Sequence, residues 1–174
     1  MSDTLITVIA IALSAILMFV FPLMTMSDRT DDVAQLTVEA ATTDFVDKAR
    51  EKGKITQTDY NEFVETITST GNTYNVEMVV QVKDKNLGKK ASQAQADKIG
   101  ENVYYSVYTS QIQDEMNSNN GVYNCKEGDI ISVSVKNTNQ TISQQLKNFF
   151  YSVTGNDAYA IAAEHSGIVT ANGK

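Results

Sequence analysis

Between Leu5 and Met26 the chain reads LITVIAIALSAILMFVFPLMTM, 22 residues without a charge. A helix advances about 1.5 Å per residue, so this run spans roughly 33 Å, enough to cross the hydrocarbon core of a bilayer. Thr7, Ser14 and Thr25 are its only polar residues. An ordinary surface helix keeps one polar face, and this one has none. The preceding Met-Ser-Asp-Thr carries no Lys or Arg, the run is too long for a signal core, and no small-x-small site follows it. The expectation is therefore a retained helix rather than a cleaved signal.

Two details within the run bear on assembly. Pro22 removes one backbone hydrogen bond and is expected to kink or loosen the helix locally. Ala10 and Ser14, four residues apart with Ala15 beside them, put small side chains on one face and admit the close approach of another helix.

The helical pattern does not stop at Met26. Ala34, Val38, Ala41, Phe45 and Ala49 form an apolar stripe at spacings of 4, 3, 4 and 4, which Val33, Leu36 and Ala40 are expected to broaden. No Gly or Pro separates Met26 from Val33, and Gly53 is a natural C-terminal stop. One helix over about residues 4–52 follows, apolar in its first half and amphipathic in its second. The chain divides into a hydrophobic segment 1–26, an amphipathic continuation 27–52 and a head 53–174. The expected fold class is α+β: a long N-terminal helix packed on a small head with about three antiparallel strands and short helices.

Within the head, Ile55-Thr56-Gln-Thr-Asp59-Tyr60 opens a helix, with Thr56 as cap and Ile55 and Tyr60 as staple; Tyr60, Phe63, Val64 and Ile67 are its stripe. Residues 73–83, TYNVEMVVQVK, alternate as a strand, with Tyr74, Val76, Met78, Val80 and Val82 on one face. Asp84 to Ile99 reads as an exposed polar loop. Tyr104, Tyr108, Ile112 and Met116, spaced by four, predict a helix ended by Asn117–Gly121. Lys126–Asp129 is a turn into a strand at Ile130–Lys136. Thr141-Ile-Ser-Gln144 is a capping box before the stripe Ile142, Leu146, Phe149, Phe150 and Val153. Tyr159–Thr170 reads as a strand broken at Gly167.

The formal charge of −7 and the lack of any Lys/Arg cluster beyond Lys89-Lys90 argue against nucleic acid as the main partner. The single cysteine, Cys125, precludes an intrachain disulfide. His165 is the only histidine, and Glu164 and Ser166 point to the opposite face of its strand, so neither a His-based metal site nor a triad is expected. The acids and glycine in Asp114–Gly121 miss the spacing of a calcium loop and suit a helix end better. Asn139-Gln-Thr141 matches a glycosylation acceptor, but Thr141 is better explained as a cap. No catalytic, cofactor or metal group emerges, and no enzyme is expected.

An uncharged N-terminal helix continuing into an amphipathic half and then a compact α/β head resembles the type IV filament superfamily of pilins and pseudopilins. The head resembles pilin-like proteins related to Tad-type pseudopilins of Gram-positive bacteria in FVDKAREKGKITQTDYNEFVETITSTGNTYNVEM, GVYNCKEGDIISVSVKNTNQT and LKNFFYSVTGNDAYAIAAEHSGIV. Pro22 sits where mature type IV pilins carry a helix-loosening proline. Leu5 stands where that family has a glutamate, and no basic leader ending in glycine precedes the helix. The resemblance implies self-association into a filament, residence in the membrane before assembly, and contact with pilus or secretion assembly machinery. It places helix packing on Leu5, Ala10, Ser14, Pro22, Ala34, Val38, Ala41 and Phe45. Orientation is expected to be N-terminus in and head out. The alternative is a single-pass, membrane-anchored binding or adhesion domain that does not polymerise.

Overall fold

The structure is a computed structural model that describes residues 2–84, 104–151 and 160–173. Helix α1 (Ser2–Ala15), a π-helical turn (Ile16–Val20) and α2 (Phe21–Lys52) follow one another without interruption. Over Asp3–Lys52 this is a 50-residue helix, long and apolar enough at its N-terminal end to cross a membrane. Pro22 lies one residue inside α2. A proline ring collides with the carbonyl four residues back, here Met18, and the wider π turn directly before it relieves that collision. The expected loosening takes this form. Lys52 ends the helix where Gly53 turns left-handed, with φ +66°.

The head is α+β, with strands in two antiparallel sheets. The larger contains β2 (Tyr74–Lys83), β3 (Tyr104–Tyr108), β5 (Ile130–Asn137) and β6 (Ala162–Ile168) in the order β3-β2-β5-β6. The smaller pairs β1 (Lys54–Thr56) with β4 (Val122–Asn124). Helices α3 (Gln57–Thr68), α4 (Thr109–Ser118) and α5 (Ile142–Tyr151) complete the described elements.

Alternation sets the inner face of the large sheet. Met78, Val80 and Val82 of β2, Ile131, Val133 and Val135 of β5 and Ala163 of β6 are buried. Val133 pairs with Met78 on one side and His165 on the other, so these residues share one face. Helix α2 covers that face with Ala34, Val38, Phe45, Val46 and Ala49. Phe45 stacks on Phe63 of α3 at 4.7 Å between ring centroids and meets Tyr60 edge-on at 6.4 Å. Thr42, also buried on this side, donates its hydroxyl to the Val38 carbonyl at 2.6 Å and leaves nothing unsatisfied.

The caps form as expected. Thr56 Oγ1 accepts from the Asp59 amide at 3.1 Å. The Thr141–Gln144 box closes both ways, at 3.1 and 3.2 Å.

Four expectations need correction. Tyr104–Tyr108 is a strand, and the helix starts only at Thr109. A spacing of four is also an even spacing, and YYSVY is the aromatic and β-branched composition a strand favours. Gly167 does not break β6. It pairs with Ile131 and makes room for Arg50, whose Cδ lies 2.9 Å from where a Cβ would stand. Val33, Leu36 and Ala40 do not broaden the buried stripe; all three are exposed. In α5, Ile142 is exposed while Thr141, Ser143 and Gln144 are buried. The loop expected from Asp84 to Ile99 lies outside the described residues after Asp84, as do the side chains of Phe149 and Phe150 and all of Val153.

Candidate functional site

The apolar run carries little polarity to conceal. Thr7 donates its hydroxyl to the Asp3 carbonyl at 2.8 Å, and Thr25 to that of Phe21 at 3.1 Å. Both satisfy their hydroxyls within the helix, which suits an apolar surrounding. Leu5 is 62% exposed, and Ile9, Leu13, Leu17 and Phe19 are exposed around it. Ala10, Ser14 and Pro22 lie on this same uncovered surface.

The other four residues singled out in the sequence lie elsewhere. Ala34, Val38 and Phe45 are buried beneath the head and Ala41 is half-buried beside them. The structure thus divides the eight into an uncovered set on α1 and the start of α2, and a set that fastens α2 to its own head.

Past Met26 the helix has two sides. Successive residues turn by about 100°, so Ala34, Val38, Thr42, Phe45 and Ala49 drift slowly along the head-facing side. Val33 and Leu36 fall on the other, 63% and 65% exposed. Ala40, also exposed, continues them at spacings of 3 and 4. Measured back to Met26, itself 67% exposed, the series is 7, 3, 4, the repeat of paired helices.

Where the run gives way to the head, α5 is held to α2 by polar contacts that the sequence did not disclose. The Lys147 ammonium lies 2.6 Å from the Asp28 carboxylate, and Ser143 donates its hydroxyl to the same group. Thr141 donates to Asp31 at 2.6 Å. Asp28 lies beyond the apolar run, and the hydrogen bonds from Lys147 and Ser143 hold its carboxyl below the usual range. One turn further on, the Gln35 amide donates to the Ala162 carbonyl at 2.7 Å and accepts from its N–H at 3.0 Å, mimicking a strand partner for the end of β6. A cleft of about 580 Å³ opens among these residues, lined by Asp28, Asp31, Asp32, Gln35 and Lys147. The capping box signalled the start of α5, but no local pattern reveals that Thr141 also reaches Asp31.

The reactive residues are in unremarkable settings. Cys125 is buried, and burial, followed by the charges of Asp129 and Glu115, pushes its thiol up to about 12. His165 is half-buried on the inner face of β6, 3.9 Å from Asp47. Asp114–Gly121 is the end of α4, with Asn120 and Gly121 both at positive φ. Asn139 uses its side chain internally, accepting from the Thr73 amide at 2.8 Å and donating to Asn72 at 2.9 Å. Among the described residues no three metal-binding side chains gather. The chain matches no protein-family profile, no curated protein and no solved structure.

Proposed function

We propose that the chain is a structural, pilin-like subunit of a type IV-related pilus or secretion filament. The apolar helix holds each copy in the membrane, head outward, and then packs with other copies into a filament core through assembly machinery. The observation that carries this reading is the exposure of Val33 and Leu36. A plain anchor needs apolar surface only across the bilayer, and these residues stand seven and ten positions past Met26. Along the axis that is about 10 and 15 Å, beyond the headgroups. Lateral packing of copies covers them; lipid does not.

Ala10 and Ser14 supply the close approach within the apolar part. Leu5 carries no charge, so assembly there rests on apolar packing alone. The second reading, an anchored head that never polymerises, draws on the match between the 22-residue run and the bilayer. The experiment that separates them enlarges the small residues. Ala10→Leu and Ser14→Leu keep membrane insertion under either reading, and abolish filaments seen by electron microscopy only under the first. Filaments that persist unchanged in both variants overturn the packing assigned to those positions.

A further inference from the structure

We propose that the π-helical turn Ile16–Val20 sets the phase of the long helix, joining one face of α1 and one face of α2 into a single seam for the same helix of a second copy. This rests on the reading that copies pack through the uncovered side, and it names what aligns that side.

Past Met26 the uncovered side is marked by Met26, Val33, Leu36 and Ala40, all exposed and opposite Ala34, Val38 and Phe45, which the head buries. Carried upstream through an unbroken α-helix, the same repeat reaches Ala15 and Ile11. Ala10 and Ser14 would then stand about 100° to one side of it. The helix is not of one kind throughout, however. A π turn bonds each residue to the fifth along instead of the fourth, so Ile16–Val20 holds one residue more than an α turn. One residue is about 100° of rotation, and all of α1 moves by that amount relative to α2. Thr7, Ala10 and Ser14 therefore come into line with Met26, Val33 and Leu36, on the side away from the head. Met18 and Pro22 fall on the same line, and both are exposed. The ring of Pro22 accounts for a wide turn at this place. It does not account for which residues the turn aligns.

Lipid has no use for this alignment, because acyl chains pack equally well on every side of an apolar helix. A rigid partner does. Ser14 and Leu36 are 22 positions apart, roughly 33 Å along the axis, so a partner that touches both is a long helix lying alongside. The chain's own 50-residue helix meets that requirement. Ala10 and Ser14 admit its close approach within the apolar part. Arg29 also falls on the line and is exposed; its apolar stem suits contact with a neighbour while the guanidinium stays in water.

The phase is read by single cysteines, placed in turn at each position from Thr7 to Ala15 and at Leu36, in the full chain in membranes under mild oxidation. The native Cys125 is buried and does not interfere. Disulfide-linked dimers should peak at Ala10 and Ser14 and fall at Ile11 and Ala15. Peaks at Ile11 and Ala15 instead, or equal yield along α1, with Leu36→Cys still cross-linking, overturn the proposal and leave the packing of copies standing. An inserted Leu36→Cys protein that stays monomeric brings down the packing itself, and the proposal with it. A second variant tests the extra residue directly. Deleting Leu17 together with Pro22→Ala removes one residue and the ring that demands the wide turn, so the peaks should remain at Ala10 and Ser14. A shift of the peaks by one residue, or their loss while Leu36→Cys still cross-links, overturns the phasing assigned to this turn.

Discussion

Lys147 and Asp28 form a 2.6 Å ion pair that ties the last described helix to the long one, two residues after its apolar run ends. The junction is polar on both sides: Ser143 joins the pair, and Thr141 repeats the arrangement on Asp31. Head and helix are thus joined at this end by charge and hydrogen bonds, and further up by the Val38–Phe45–Phe63 core.

The junction should loosen in acid. Asp28 has a lower pKa folded than unfolded, so its contribution is complete above about pH 4, the usual aspartate value, and is lost as pH falls through the lower folded value. The protection of the α5 amides against hydrogen exchange, taken relative to their intrinsic rates, should fall below about pH 4 more than that of β5. Asp28→Asn should show fast α5 exchange already at pH 7 and lose most of that acid dependence.

Truncating Phe45 removes the ring that stacks on Phe63 and touches Tyr60. Phe45→Ala should cost about 3–5 kcal/mol, read from urea unfolding of the head followed by near-UV circular dichroism. That is a large fraction of the roughly 5–15 kcal/mol typical of whole domains.

Thr56→Ala deletes the cap that accepts from the Asp59 amide and should cost about 1 kcal/mol in the same assay. Asp59 responds to opposing influences. Burial raises its pKa, while Lys52 at 2.9 Å and Thr56 lower it further than burial raises it. Removing Thr56 should therefore move the Asp59 titration upward, measurable by NMR.

Gly53 takes φ +66°, and a Cβ there would lie 2.3 Å from the Ala171 carbonyl oxygen and 2.6 Å from the Gly173 nitrogen. These are backbone atoms and cannot swing aside. Gly53→Ala should exceed the roughly 1–2 kcal/mol of a left-handed residue alone. It should also detach the C-terminal segment, whose Gly173 amide donates to the Cys125 carbonyl at 3.0 Å. Gly167→Ala, by contrast, meets mainly the flexible Arg50 side chain and should be milder.

Cys125, buried and with its thiol pushed up to about 12 by that burial, should resist iodoacetamide at pH 8 in the folded protein and react once urea unfolds it.

Much of this architecture follows from local pattern. The long helix was legible because nothing between Met26 and Gly53 interrupts it, and Thr56 and Thr141 announce their helices by caps that form as written. What escaped was decided by distant partners. Tyr104 and Tyr108 share one face of a strand as readily as of a helix, and pairing with Lys83 and Val79 settles the matter. Strands β1 and β4 are three residues each, too short to show alternation. The apolar stripe of α5 predicted burial of Ile142, yet Asp28 and Asp31 claim the polar side of that helix instead. Among the proposed packing positions, the sequence treated one continuous surface where the structure has two, with Ala34, Val38 and Phe45 already engaged by the head.

The central claim, that copies pack along the uncovered side of this helix, is tested most directly by single-cysteine cross-linking of the full chain in membranes. Cys125 is the only native thiol and is buried, so added cysteines report alone. Under mild oxidation Leu36→Cys and Ser14→Cys should give disulfide-linked dimers, while Lys48→Cys, exposed on another side of α2, should stay monomeric. An inserted Leu36→Cys protein that remains monomeric, or equal cross-linking at Lys48→Cys, would contradict it.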